Sequence, residues 1–165
     1  MNDTTAPTRP AAGDDAPAFA LLDDSGTRRE LSDERGHWVV LFFYPRDFTS
    51  GCTIEVCEFR DLTAAFAGLD AVVWGVSVLD SASKAAFKQK HALDFALLAD
   101  EDHAVAGRYG VWVEKSNQGK TFRGIGRATF LIDPQGAIAR VWPTVKPEGH
   151  AEEVLEALRS GSDRA

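Results

Sequence analysis

The sequence predicts an α/β fold, a central mixed β-sheet flanked by helices with a β-hairpin at its N-terminal end. Two runs carry the prediction first. Trp38–Tyr44 and Ala71–Leu79 are continuous stretches of apolar, aromatic and β-branched residues, as strands buried on both faces require. Each is followed by a segment whose apolar residues recur at helical spacing, so strand and helix alternate. Near the end, two short strand-like runs flank Asp133-Pro134-Gln135-Gly136, a turn with proline second and glycine last. At 165 residues, 44% apolar and 26% charged, the chain has the size and composition of one globular domain with one core.

The elements follow in order. Residues 1–17, rich in Ala, Pro, Thr and Asp, show no periodicity and read as a flexible lead-in to a single domain over 18–160, with a short tail at 161–165. Phe19–Leu31 carries the turn cluster Asp23-Asp24-Ser25-Gly26 between short mixed runs, which predicts a β-hairpin. Trp38–Tyr44 is the central strand, with Gly36 before it and Pro45 after it. From Thr53 to Phe66 the apolar positions Ile54, Val56, Phe59, Leu62, Ala65 and Phe66 fit one helix. A second buried strand, Ala71–Leu79, leads to a helix over Ser81–His91 with Ser81 or Ser83 as its N-cap. Phe95–Leu98 reads as a short strand, and Glu101–Tyr109 as a short helix that Gly110 ends. Lys115, Lys120 and Arg123 lie among Asn117, Gln118 and Gly119 in what reads as a solvated loop. Ala128–Asp133 and Ala137–Trp142 form the second hairpin. Gly149–Leu158 is a closing helix, with acidic residues early and Arg159 late as the helix dipole prefers, and His150 reads as ordinary surface.

Charge and cysteine content narrow the function. A net charge of −7 argues against a protein whose main partner is a phosphate backbone, so no nucleic-acid partner is expected. No run approaches the roughly eighteen apolar residues of a membrane helix, and the first residues lack the pattern of a signal peptide. A cytoplasmic protein with no membrane partner is the expectation. Two cysteines cannot build the disulfide framework of a small secreted domain, and close-spaced cysteines in a reducing compartment are more often catalytic or metal-binding. His37, His91, His103 and His150 have no ligand-like spacing to the cysteines, so no metal is expected. No organic cofactor is expected either.

The cysteines sit where chemistry is expected. In Pro45-Arg46-Asp47-Phe48-Thr49-Ser50-Gly51-Cys52 a buried strand ends at a proline, and a short loop delivers Cys52 to the first turn of a helix. Unpaired N–H groups and the positive dipole end stabilise an anion there, and the thiolate is the reactive form of cysteine. Cys57 lies five residues on. In a regular helix that separates the Cα atoms by about 7.5 Å in rise alone, beyond usual disulfide reach. A bond between the two therefore requires the first turns to unwind, as in a redox cycle with motion. Buried structural thiols remain the alternative, within a binding module that carries idle cysteines. A dithiol–disulfide oxidoreductase is disfavoured by the absence of Cys-x-x-Cys.

The segment FFYPRDFTSGCTIEVCEFRDL resembles the active-site segment of peroxiredoxins, specifically the Q-type or bacterioferritin-comigratory group. Pro45, Thr49 and Cys52 match the family's Pro-x-x-x-Thr-x-x-Cys, and Tyr109–Asp133 resembles the later segment that holds its arginine, here Arg127. The resemblance runs from about Ala16 to Leu158. It implies a thioredoxin-like fold, reduction of hydrogen peroxide and organic hydroperoxides, and recycling by thioredoxin or a similar dithiol protein; a monomer or weakly associating protein is expected. It also implies roles. Cys52 is the peroxidatic nucleophile, Arg127 stabilises its thiolate and polarises the peroxide, Thr49 holds the peroxide by its hydroxyl, and Pro45 shields the sulfur from water. Cys57 matches the resolving cysteine that attacks the Cys52 sulfenic acid, and Glu55 orients Arg127. Ser50 stands where the group usually has a second proline, a difference that bears on how readily the helix start unwinds.

Overall fold

The computed structural model describes residues 9–162. Along the chain these form β1 (Ala20–Asp23), β2 (Arg28–Glu30), a 3-10 turn at Leu31–Glu34, β3 (Trp38–Phe43), α1 (Ser50–Asp61), α2 (Thr63–Gly68), β4 (Ala71–Ser77) and α3 (Ser81–His91). There follow β5 (Ala96–Ala99), α4 (Ala104–Arg108), β6 (Trp112–Asn117), β7 (Lys120–Ile125), β8 (Ala128–Ile132), β9 (Ile138–Trp142) and α5 (His150–Ser162). One sheet of seven strands runs β2-β1-β5-β4-β3-β8-β9, parallel within β3, β4 and β5 and antiparallel elsewhere. This is the mixed sheet expected, with its N-terminal hairpin at one edge.

The alternation of β3 explains the layers. Val40, Phe42 and Tyr44 enter one core with Val56 and Phe59 of α1, Phe66 of α2, Phe87 of α3 and Val154, Leu155 and Leu158 of α5. Val39, Leu41 and Phe43 point the other way, to Phe19, Trp74, Tyr109 and Phe130. Every residue from Val39 to Tyr44 is at most 1% exposed. A strand so placed has no polar face to show, which is why its sequence lacks one.

The structure corrects several local expectations. The helix expected over Thr53–Phe66 starts earlier, at Ser50, and breaks at Leu62, whose backbone (φ −108°, ψ 6°) leaves the helical region between α1 and α2. The N-cap of α3 is Asp80, not Ser81 or Ser83, and its carboxylate accepts a 2.9 Å bond from the Ser83 N–H. The helix near Glu101 is only α4, held by Asp100 accepting from the N–H groups of Val105 and Ala106.

The solvated loop around Lys115 and Lys120 is a β-hairpin, β6 against β7, closed by Gln118 and Gly119, both at positive φ as a two-residue turn of this kind demands. Its polar sequence hides it, because a hairpin standing away from the sheet has little apolar face to bury. Part of the stretch read as a flexible lead-in is held in place. The N–H of Gly13 donates to the Ile138 carbonyl at 2.8 Å, the Ile138 N–H donates to Asp14, and Tyr109 Oη donates to the Pro17 carbonyl at 2.7 Å. That pairing covers the outer edge of β9. Residues 1–8 of the lead-in and 163–165 of the tail lie outside the described residues, and α5 continues past residue 160.

Candidate active site

The end of β3 and the start of α1 build the site. Tyr44 stays in register with the sheet, its N–H donating to the Val76 carbonyl at 3.0 Å, and the chain then turns away through Pro45–Phe48. Thr49 occupies the N-cap of α1 with extended backbone, and its carbonyl accepts the first helical bond, from the Thr53 N–H at 2.9 Å. Its side chain does not cap the helix; the exposed hydroxyl donates to the Arg46 carbonyl at 3.2 Å. Pro45 is half-buried where the strand ends. Cys52 is the third residue of α1, in the turn whose N–H groups lack helical partners, and no acidic residue shares that turn. Its side chain is fully buried and is a free thiol.

Arg127 arrives from the opposite end of the chain. It lies between β7 and β8, where the Gly126 N–H donates to the Val111 carbonyl at 2.8 Å and fixes the approach. One guanidinium nitrogen, Nη2, donates to Cys52 Sγ at 3.5 Å; the other, Nη1, donates to Glu55 Oε1 at 2.6 Å. Glu55 follows Cys52 by one turn and is 1% exposed, so helical spacing puts sulfur and carboxyl on the same guanidinium. Burial pushes the Glu55 carboxyl up to about 7 in spite of Arg127, whose own charge is stabilised by Glu55 and Cys52. Burial wins at the carboxyl and attraction wins at the guanidinium, so the fixed charge beside Cys52 is that of Arg127.

Gly51 is part of this geometry. A Cβ there would lie 3.1 Å from Arg127 Nη2 and 3.5 Å from the Pro147 ring, so the absence of a side chain is what lets the guanidinium reach the sulfur. Cys57 is half-buried and also a free thiol, in the same unbroken helix. The structure therefore brings Cys52, Arg127 and Glu55 together, and holds Cys57 apart from Cys52 by one and a half turns of intact α1.

The AhpC/TSA family matches residues 12–141. The chain belongs to that family. It is 45% identical over 152 residues to the peroxiredoxin Bcp of Bacillus subtilis, covering 92% of this chain and 97% of that protein. It is 41% identical over 148 residues to the peroxiredoxin Bcp of Escherichia coli K12, covering 90% and 95%. Among solved structures, a Xanthomonas campestris bacterioferritin comigratory protein with alkyl peroxide reduction activity superposes with a TM-score of 0.86 at 37% identity, covering 92% of this chain and 99% of that one. A Xylella fastidiosa PrxQ mutant superposes at 0.88 with 34% identity, covering 94% and 98%. The fold is thioredoxin-like, and this peroxiredoxin is a thiol peroxidase.

Two features of the peroxiredoxin escape a reading of its sequence. His150 is not surface: it is 2% exposed, its Nε2 lies 2.8 Å from Thr129 Oγ1, and its ring meets Phe59 and Trp142 edge-on. The signal was available, because positions 150, 154 and 158 share the apolar face of α5. The other is a buried polar cluster around Asp47 and Lys84. Lys84 precedes Phe87 by three residues and so lies on the buried face of α3. Among the described residues no helix is long and apolar enough to cross a membrane.

Proposed function

We propose that this peroxiredoxin reduces hydrogen peroxide and organic hydroperoxides through Cys52, with Cys57 resolving the product as an intramolecular disulfide. The observation that carries the assignment is the Arg127 guanidinium donating at 3.5 Å to a buried cysteine sulfur in the first turn of a helix. Two positive features, guanidinium and helix dipole, converge on the one atom that must bear negative charge to react. The Cys52 thiolate attacks one peroxide oxygen, the O–O bond breaks, and the leaving oxygen takes a proton to depart as water or alcohol. Sulfur is oxidised by two electrons to the sulfenic acid and the peroxide is reduced by two. Arg127 stabilises the thiolate before attack and the developing oxygen charge during it. Thr49 exchanges its bond to Arg46 for one to the peroxide, and Pro45 screens the sulfur from water. Glu55 fixes the plane of the guanidinium.

The first turn of α1 then opens, and Cys57 attacks the sulfenic sulfur. An S–S bond forms, the S–O bond breaks, and water leaves. A thioredoxin or similar dithiol protein returns both thiols by two successive thiol–disulfide exchanges. Two close-spaced free thiols suit a reducing compartment, which supports a cytoplasmic location. Cys52 and Cys57 lie in one helix, so closing the disulfide calls on no second copy, which suits action as a monomer. The net charge of −7 supports the absence of a nucleic-acid partner. The test is stopped-flow mixing of reduced protein with hydrogen peroxide, thiols being counted before and after. Wild type loses both thiols per peroxide, Cys57→Ser loses one and accumulates sulfenic acid, and Cys52→Ser does not react. Slow oxidation unaffected by Cys52→Ser would overturn the assignment.

A further inference from the structure

Lys84 and Asp47 are 0% and 4% exposed, and the peroxidase chemistry above uses neither. Lys84 Nζ donates to Asp47 Oδ2 at 3.2 Å and to Ser77 Oγ at 2.7 Å, and it lies 5.5 Å from the centre of the Tyr44 ring. The same carboxylate accepts from Ser83 Oγ at 2.8 Å and from Tyr44 Oη at 2.5 Å. The Asp47–Lys84 pair therefore ties together the end of β3, the end of β4, through Ser77, and the first turn of α3. Asp47 sits two residues before Thr49 and five before Cys52. An ion pair so buried is poor evidence of stability, because desolvation offsets its attraction; burial indeed works against the charge on Lys84.

The loop it holds is strained. Phe48, next to Asp47, adopts φ 70°, a region that costs a bulky residue energy and persists only where its surroundings enforce it. It is 47% exposed, so burial does not supply the force, and its ring rests on Phe87 of α3 at 5.0 Å between centroids. Asp47 inside and Phe48 outside thus grip the same helix, α3, with the Cys52 turn starting immediately after the grip.

We propose that Lys84 is a positioning residue for the peroxidase cycle: through Asp47 it pins the strained loop ahead of α1 and so sets the balance between the folded Cys52 turn and the opened one. This rests on the two-cysteine cycle proposed above. The folded turn presents Thr49 and Arg127 for peroxide reduction, whereas the opened turn is the form in which Cys57 reaches the sulfenic acid. Releasing the anchor shifts the two steps in opposite directions, and it lengthens the peroxide exposure needed to carry Cys52 on to sulfinic acid, because the sulfenic acid is captured sooner.

The experiment measures both steps in the full chain with Lys84→Met, which fills the volume without the charge. Single-turnover mixing with hydrogen peroxide, quenched for mass spectrometry, separates the bimolecular oxidation of Cys52 from the first-order closure of the disulfide. Oxidation is expected to slow about tenfold and closure to quicken about tenfold, the scale of a lost hydrogen bond to a charged group, with the peroxide concentration for half-maximal sulfinic acid rising in proportion. If Lys84 merely holds the fold together, the variant melts at lower temperature while the ratio of the two rates stays that of wild type, and the inference is overturned. Should Lys84→Met fail to melt cooperatively, Ser83→Ala, which removes one bond to Asp47 from a half-exposed position, decides: opposite shifts of about threefold support the anchor, and an unchanged ratio refutes it. A wild type that loses only one thiol per peroxide would instead refute the two-cysteine cycle itself.

Discussion

Replacing Glu55 by glutamine tests the electrostatics of the site directly. Glu55 is 1% exposed, one carboxyl oxygen is 2.6 Å from Arg127 Nη1, and the other, Oε2, has no hydrogen-bond partner among the described residues. Burial carries its carboxyl from an ordinary 4.5 to about 7. The folded state thus binds the proton more tightly than the unfolded chain. Stability contributed by this group is present in full at low pH and is lost as pH rises from about 4.5 to about 7. A tenfold change in proton binding is about 1.4 kcal/mol, so the loss amounts to about 3 kcal/mol, a large part of the 5–15 kcal/mol that typically hold a domain together. Glutamine keeps an oxygen for Arg127 and cannot ionise. Urea unfolding of wild type and Glu55→Gln at half-unit steps from pH 4.5 to 8 gives two stability curves whose difference isolates the group. The difference should change by about 3 kcal/mol in favour of the variant across that range, moving its relative urea midpoint by about 1 M or more. Parallel curves would refute the claim that burial outweighs the guanidinium at this carboxyl.

Three further outcomes follow from the same geometry. Arg127→Gln removes the charge beside Cys52 Sγ and should lower the second-order rate constant for hydrogen peroxide by about a hundredfold, measured by stopped flow, with the far-ultraviolet spectrum unchanged. Gly51→Ala places a methyl 3.1 Å from Arg127 Nη2, forcing the guanidinium aside by a few tenths of an ångström; peroxide reduction should fall about tenfold in a variant that still melts cooperatively, and wild-type rates would show that the guanidinium has room to spare. Burial holds His150 below its ordinary 6.5, so the unfolded chain binds its proton more tightly and stability from this group is lost as pH falls through about 6.5. His150→Gln should therefore gain on wild type between pH 7.5 and pH 5 in urea unfolding, the opposite slope to Glu55, and a difference independent of pH would count against a buried neutral imidazole.

Local pattern was enough for much of this protein. An unbroken apolar run from Trp38 to Tyr44 has one stable place in a folded domain, a strand covered on both faces, and the proline, threonine and cysteine that follow it lie within eight residues of one another, so their grouping survives any tertiary arrangement. The hairpin at Asp133–Gly136 is equally local, because proline and glycine restrict the backbone whatever surrounds them. What the sequence leaves open are contacts across long separations and choices between near-equal local partners. Arg127 reaches Cys52 across 75 residues, and a lone arginine before a strand carries no mark of that destination. The N-cap of α3 went to Asp80 over two serines of similar capping strength, and the β6–β7 hairpin formed from residues too polar to announce it. Lys84 and His150 show the physical reason most plainly. Their helical phase marks a buried face, but a charged or titratable side chain is tolerated there only if a partner waits on another element, here Asp47 and Thr129, and only the packing of strands against helices supplies one.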